Sequence, residues 1–237
     1  MMERLWAILQ RWAVPVMMSL AYALLAVTSE TDTAGTAWMA IGLLFVLVVW
    51  FVFRALTETA ALARALNVGD VAKLLQLAER FLPRKRRPAD RAPFLIGRAL
   101  AEQLRGEFAA ALATVDAAAP GPELQPLAAA IRIGALIELG RPAADARPHL
   151  VAAPRAPALA WLAEGEIAWG DAQPAEAAAL FARIIDDVRA GSATRAIAHV
   201  YAARIAADPA VAARHRAAAT ALATPEATWL RAPSPAV

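Results

Sequence analysis

The chain has no cysteine among its 237 residues, which excludes disulfides, thiolate zinc sites, iron–sulfur clusters and cysteine nucleophiles together. Serine is scarce, and neither a G-x-S-x-G elbow nor a phosphate-binding glycine loop is present. The three histidines, His149, His199 and His215, show no i, i+4 pair and no adjacent carboxylate motif, so no metal site is expected. Lacking a set of nucleophile, base and orienter, the sequence points to no enzyme, no catalytic residue and no cofactor. A strong charge of one sign is also missing: 24 Lys and Arg stand against 21 Asp and Glu. The resulting net charge of +3, carried almost wholly by arginine, is a weak basis for nucleic-acid binding, and none is expected.

What the chain has in excess is apolar surface, at 59% hydrophobic residues and a mean hydropathy of +0.46. That lies outside the range of an ordinary soluble domain and points to lipid. The stretch "WAVPVMMSLAYALLAVT" at 12–28 carries no charge, nor does "TAGTAWMAIGLLFVLVVWFVF" at 33–53. With a helical rise of ~1.5 Å per residue, two spans of about 12–28 and 35–54 each come close to crossing a hydrocarbon core of ~30 Å. The polar turn between them contains Glu30 and Asp32 and no basic residue, so the reading is a transmembrane hairpin over residues 1–56. Trp6, Trp12, Trp38 and Trp50 fall near its ends, where an indole sits at headgroup level. Arg4 and Arg11 precede the first span while Arg54, Arg64 and Lys73 follow the second. The positive-inside rule then puts both termini in the cytoplasm of a bacterial-type cell, with a multi-pass protein in the inner membrane. A cleaved signal peptide over residues 1–28 is the competing reading, against which stand the length of the apolar stretch and the want of a small-residue cleavage pattern. Neither span holds a charge that would mark an ion or proton path.

Residues 80–91, "RFLPRKRRPADR", hold six basic residues and prolines at 83 and 88. A helix should end near Pro83 and leave an irregular basic linker in a segment spanning 57–90. On the cytoplasmic side, Arg84, Lys85, Arg86 and Arg87 would meet anionic headgroups; a solvated loop that follows the positive-inside bias is the alternative.

Beyond residue 90 the sequence is rich in Ala, Leu and Arg and is punctuated by Gly or Pro, an all-α pattern. A period runs through it. Trp161, Gly165, Ala177 and Phe181 have the spacing of the tetratricopeptide signature, with Glu164 in place of its Leu and Ala168 in place of its Tyr. Moved back 31 residues the frame meets Gly134, Ala146, Leu150 and Ala153, and back 35 more it meets Ala99, Ala111, Val115 and Ala118. Moved forward 33 it meets Ala198, Tyr201, Ala210 and Ala217. Pro142, Pro174 and Pro209 fall where second helices would begin, and Asp208 is placed to cap the last of them. A degenerate further unit runs from Leu62 through "NVGDVAKLLQLAERFLP", with Gly69 and Asp70 as its turn.

The segment 91–223, ahead of a tail at 224–237, therefore resembles a tetratricopeptide-repeat array; an unrelated Ala-rich helical bundle is the alternative. The resemblance implies that the two transmembrane helices read from the apolar stretches are followed by a right-handed α-solenoid of about four to five hairpins. It also implies a concave face that binds a protein or peptide. In that frame the polar positions of the inner face are Gln103, Glu138, Glu166, Trp169, Arg195 and His199. The Lys and Asn set with which familiar members clamp a peptide carboxylate is absent. The function so implied is a membrane-anchored interaction scaffold, or alternatively an accessory or assembly subunit of a larger inner-membrane complex.

Three acids near the clearest unit read as architecture. Glu164 and Glu166 are separated by ~200° on a helix and cannot share an ion. Asp171 belongs to the inter-helix turn, and Glu176 complements the dipole of the next helix. Asp186 and Asp187 read as a solvated pair at a helix end.

Overall fold

The computed structural model describes residues 33–232, and among these every regular element is helical. Two compact units divide the chain, 1–61 and 62–237.

In the first unit the described residues belong to α1 (Thr33–Val68). Among the described residues one helix is long and apolar enough to cross a membrane: within Leu44–Val68 the most apolar 18-residue window has a mean hydropathy of 1.8 and is unburied. Leu44, Phe45, Val48, Phe51 and Val52 are all exposed. The expected end of this span near residue 54 is not a helix end. From residue 43 to 68 there is neither Gly nor Pro, so nothing breaks the backbone ladder. Arg54 instead pairs one turn on with Glu58 at 3.1 Å, and the helix continues into the second unit. The span expected at 12–28 lies outside the described residues.

The second unit opens on the last two turns of α1, where Leu62, Ala65 and Leu66 join the core. Gly69, in the left-handed region at φ +72°, turns the chain as its spacing implied, and the Asp70 side chain accepts from Lys73 N–H to cap α2 (Val71–Phe81). Helix α2 buries Val71, Leu74, Leu77, Ala78 and Phe81, a 3.6-period stripe. It stops before Pro83, and the basic linker follows. Then come α3 (Pro88–Leu104), α4 (Phe108–Asp116), α5 (Gln125–Glu138), α6 (Ala143–Ala146), α7 (Pro157–Gly170), α8 (Pro174–Asp186), α9 (Ser192–Ile205), α10 (Pro209–Leu222) and α11 (Thr228–Arg231). Helices close in sequence pack together: α2 on α3, α3 on α4, α4 on α5, α5 on α7, α7 on α8, α8 on α9 and α9 on α10. Pro174 and Pro209 are the first residues of their helices, and Asp208 accepts from Ala210 N–H at 2.7 Å.

Pro142 also precedes a helix, but α6 is only one turn long and passes into a 3-10 turn over Arg147–His149. Pro148, the sixth residue of any longer helix from Ala143, removes a donor, so Leu150, a core position in the repeat frame, is left exposed. Ala146 and Ala153 of the same frame are buried.

Alanine dominates the core, so side chains keep the helices close, and the aromatics sit at joints. Phe181 stacks on Tyr201 with centroids 5.0 Å apart. An added Cβ at Gly165 would lie 2.8 Å from the Phe181 ring, which explains the glycine in α7. The last turns of α1 and helices α3, α5, α7 and α9 converge on a cavity of ≈ 20 Å³ lined by Leu66, Leu100, Gln103, Ile131, Leu162 and Ile197, room for about one water.

The array closes on itself. A Cβ at Gly69 would stand 2.9 Å from Ala193 Cβ, and one at Gly191 would stand 2.6 Å from Asn67 Oδ1. Beyond residue 223, where a tail was expected, Thr224 Oγ1 donates to Gly69 O at 3.3 Å and Thr228 Oγ1 to Arg105 O at 3.0 Å. Trp229 is buried edge-on against Phe108, 5.5 Å between centroids.

Candidate functional site

Glu164 and Glu166 leave α7 on opposite sides, and the consequence is large: Glu164 is exposed, whereas Glu166 is 0% exposed. Neither carboxylate oxygen of Glu166 has a hydrogen-bond partner. Burial first, and the Glu138 charge second, raise its pKa well above 4.5, so the side chain is held as the neutral acid. Gln103, from α3, is 2% exposed. It meets Glu166 across Gly134 of α5: a Cβ there would lie 2.5 Å from Gln103 Nε2 and 2.7 Å from Glu166 Oε1. Only glycine leaves both polar ends their space.

One turn after Gly134, Glu138 accepts from both terminal nitrogens of Arg204 of α9, the longer bond being 3.3 Å. The Arg204 guanidinium lies over the rings of Tyr201 and Trp229, at 5.3 and 5.6 Å. Tyr201 is fully buried, with its hydroxyl facing the Glu138 carboxylate. Burial, then Glu166 and Glu138, push its pKa well above 10. Helices α3, α5, α7 and α9 thus bring one neutral acid, one paired acid, an amide, a phenol and a guanidinium into one buried cluster. A buried carboxylic acid of this kind can donate a proton or hydrogen bond, and within the cluster Glu138 and Arg204 are the members that keep some exposure.

The six residues expected along an inner groove are therefore distributed unevenly. Gln103, Glu138 and Glu166 come together, the first and third of them inside the protein, where they line no open surface. Trp169 is half-buried against the main core. Arg195 is partly buried with its Nε unpartnered. His199 turns to the α10 side, where its Nδ1 is 3.0 Å from that of His215. Burial is the first cause of the lowered pKa of both rings, followed by each other or a nearby arginine: His215 and Arg195 for His199, Arg214 for His215. Tyr201 and Arg204 belong to the site but had no sequence signal as site residues, beyond sharing one face of α9 three residues apart.

The acids read as architecture fall at turns. Asp171 pairs with Arg147, Asp187 accepts from the backbone and side chain of Arg189, and Asp186 is exposed. His149 lies half-buried, its pKa lowered by burial and then by Arg132. Arg84, Arg86 and Arg87 are exposed and Lys85 is half-buried. Among the described residues no three His, Asp or Glu side chains converge to hold a metal. No family model, no curated protein and no solved structure matches the chain.

Proposed function

We propose that this protein is a membrane-anchored interaction scaffold, a multi-pass protein of the bacterial inner membrane whose tetratricopeptide-like helical array faces the cytoplasm and binds a protein or peptide partner. The observation that carries it is the exposed apolar surface of α1 leading without a break into a domain of successive helical hairpins. Lipid is the environment that such a surface fits, because an unburied run of Leu, Val and Phe in water costs ~25 cal/mol per Å². The solenoid reading draws on the recurring hairpins, the prolines that open α8 and α10, and the contact of Gly165 with Phe181 at the spacing of the repeat. Arg84, Lys85, Arg86 and Arg87 contact anionic headgroups beside the anchor, at ~1 kcal/mol for each cation near the surface.

Purification in mild detergent, with identification of co-purifying proteins, tests the scaffold. One specific partner that stays bound by the fragment from Leu62 onward supports it. A partner held only through the spans favours the alternative, an assembly subunit within the membrane. A reporter fused after Val237 that is active only in the periplasm would refute the cytoplasmic placement.

A further inference from the structure

The buried cluster is costly as it stands. Both oxygens of Glu166 and Arg204 Nε lack partners, and a buried polar group left unsatisfied costs ~1–3 kcal/mol. A domain that needed only to fold would be served by leucine at position 166. The same groups lie on the first helices of successive hairpins, the face that such an array presents when it is not closed on itself. What shuts that face is a seam between segments far apart in sequence: the Gly69 turn against Ala193 and Gly191 against Asn67, fastened by Thr224, Thr228 and Trp229.

We propose that the array opens at this seam, and that the exposed face is a docking site for a protein segment bearing a lysine or arginine side chain flanked by apolar residues. This rests on the scaffold reading and specifies the partner's chemistry. Charge complementarity selects a cation. Arg204 already neutralises Glu138, so once hydrated Glu166 ionises and leaves one unmatched negative charge, with Gln103 and Tyr201 beside it as neutral partners. Arg195 does not cancel it, because burial and Glu138, not Arg195, are what act on Glu166. Leu100, Ile131, Leu162 and Ile197, which line the inner cavity, take the methylene stem and the apolar flanks. The closed array is the resting, autoinhibited form, in which the Trp229 segment holds the receptor carboxyl out of reach.

The absence of cysteine makes the opening measurable. Ala130→Cys places a single thiol on the cavity wall of the full chain in detergent, where maleimide labelling reports exposure. Thr224→Ala with Thr228→Ala, which removes two seam hydrogen bonds, should raise the labelling rate about tenfold, and Trp229→Ala more. The binding probe is a fluorescein-labelled peptide, Leu-Ala-Leu-Lys-Leu-Ala-Leu, with a twin carrying Glu for Lys. The Lys peptide should bind the seam variants about tenfold more tightly than it binds the parent, and more tightly than the twin does. Adding Glu166→Gln should cancel that gain. Circular dichroism verifies the fold, and if Trp229→Ala unfolds, the double threonine variant decides. Labelling unmoved in a folded seam variant, equal binding of the two peptides, or loss of helicity in both variants overturns the proposal. A partner still captured by the parent in the face of such results leaves the scaffold reading intact.

Discussion

Replacing Glu166 by Gln should make the protein more stable at neutral pH, although it adds no contact and leaves the side-chain volume nearly unchanged. Burial raises the folded-state pKa of Glu166, with Glu138 adding to it. Between the ordinary carboxyl value of 4.5 and the higher folded value, the unfolded chain has lost the proton while the folded protein keeps it. The neutral-acid contribution is therefore fully present below about 4.5 and is lost as pH rises through the interval, at about 1.4 kcal/mol per pH unit. Glutamine has nearly the same volume and does not ionise, so the variant lacks this loss. The measurement is urea denaturation of the full chain in detergent, followed by tryptophan fluorescence, for both proteins from pH 4 to 9. The difference between the two curves should be small at the acid end, within about 1 kcal/mol, and widen steadily above pH 5 in favour of the variant. His149, His199 and His215, with lowered pKa values, act in the opposite sense in both proteins, losing stability as pH falls, and cancel in the difference. Parallel curves across the range would refute the neutral buried acid.

Three further changes test other parts of the structure. Ala172, between α7 and α8, adopts φ +56°, a left-handed conformation that costs a non-glycine residue ~1–2 kcal/mol; Ala172→Gly should raise the denaturation midpoint by an equivalent of about 1 kcal/mol. Phe181→Ala removes a fully buried ring stacked on Tyr201 and should lower stability by ~3–5 kcal/mol, measured in the same denaturation assay. Replacing Arg84, Lys85, Arg86 and Arg87 together by Ala should abolish any extra affinity of the fragment from Leu62 onward for vesicles containing phosphatidylserine over neutral ones, in a sedimentation assay at about 0.1 M salt. Equal sedimentation of parent and variant would assign the segment to solvent.

The local punctuation of the fold was legible before any coordinates. Gly69 and Asp70 mark a turn and cap because one supplies a positive φ and the other an oxygen for Lys73 N–H. Pro174 and Pro209 mark helix starts because proline has no donor to lose there. Gly165 and Phe181 stood out by their spacing in the repeat signature, and the structure packs one against the other. Where two local signals compete, the reading weakens: Pro142 announced a second helix in the third hairpin, but Pro148 cut it to one turn and left Leu150 exposed. The helix that carries the span expected at 35–54 runs on to Val68, since a single arginine, able to pair along its own helix with Glu58, does not end a helix.

By itself the sequence determined the all-α class, the apolar first helix of the described residues, the hairpin turns and the opposite facing of Glu164 and Glu166. Each of these depends on backbone chemistry or helical period within a few residues. Which face of α7 would be closed over was a different kind of quantity. The pairing of Glu138 with Arg204, 66 residues away, the seam that joins Thr224 to Gly69 and the enclosure of Gln103 and Glu166 depend on how helices far apart in sequence pack together. No window of sequence carries that packing, and only the tertiary structure decided that Gln103 and Glu166 meet in an interior.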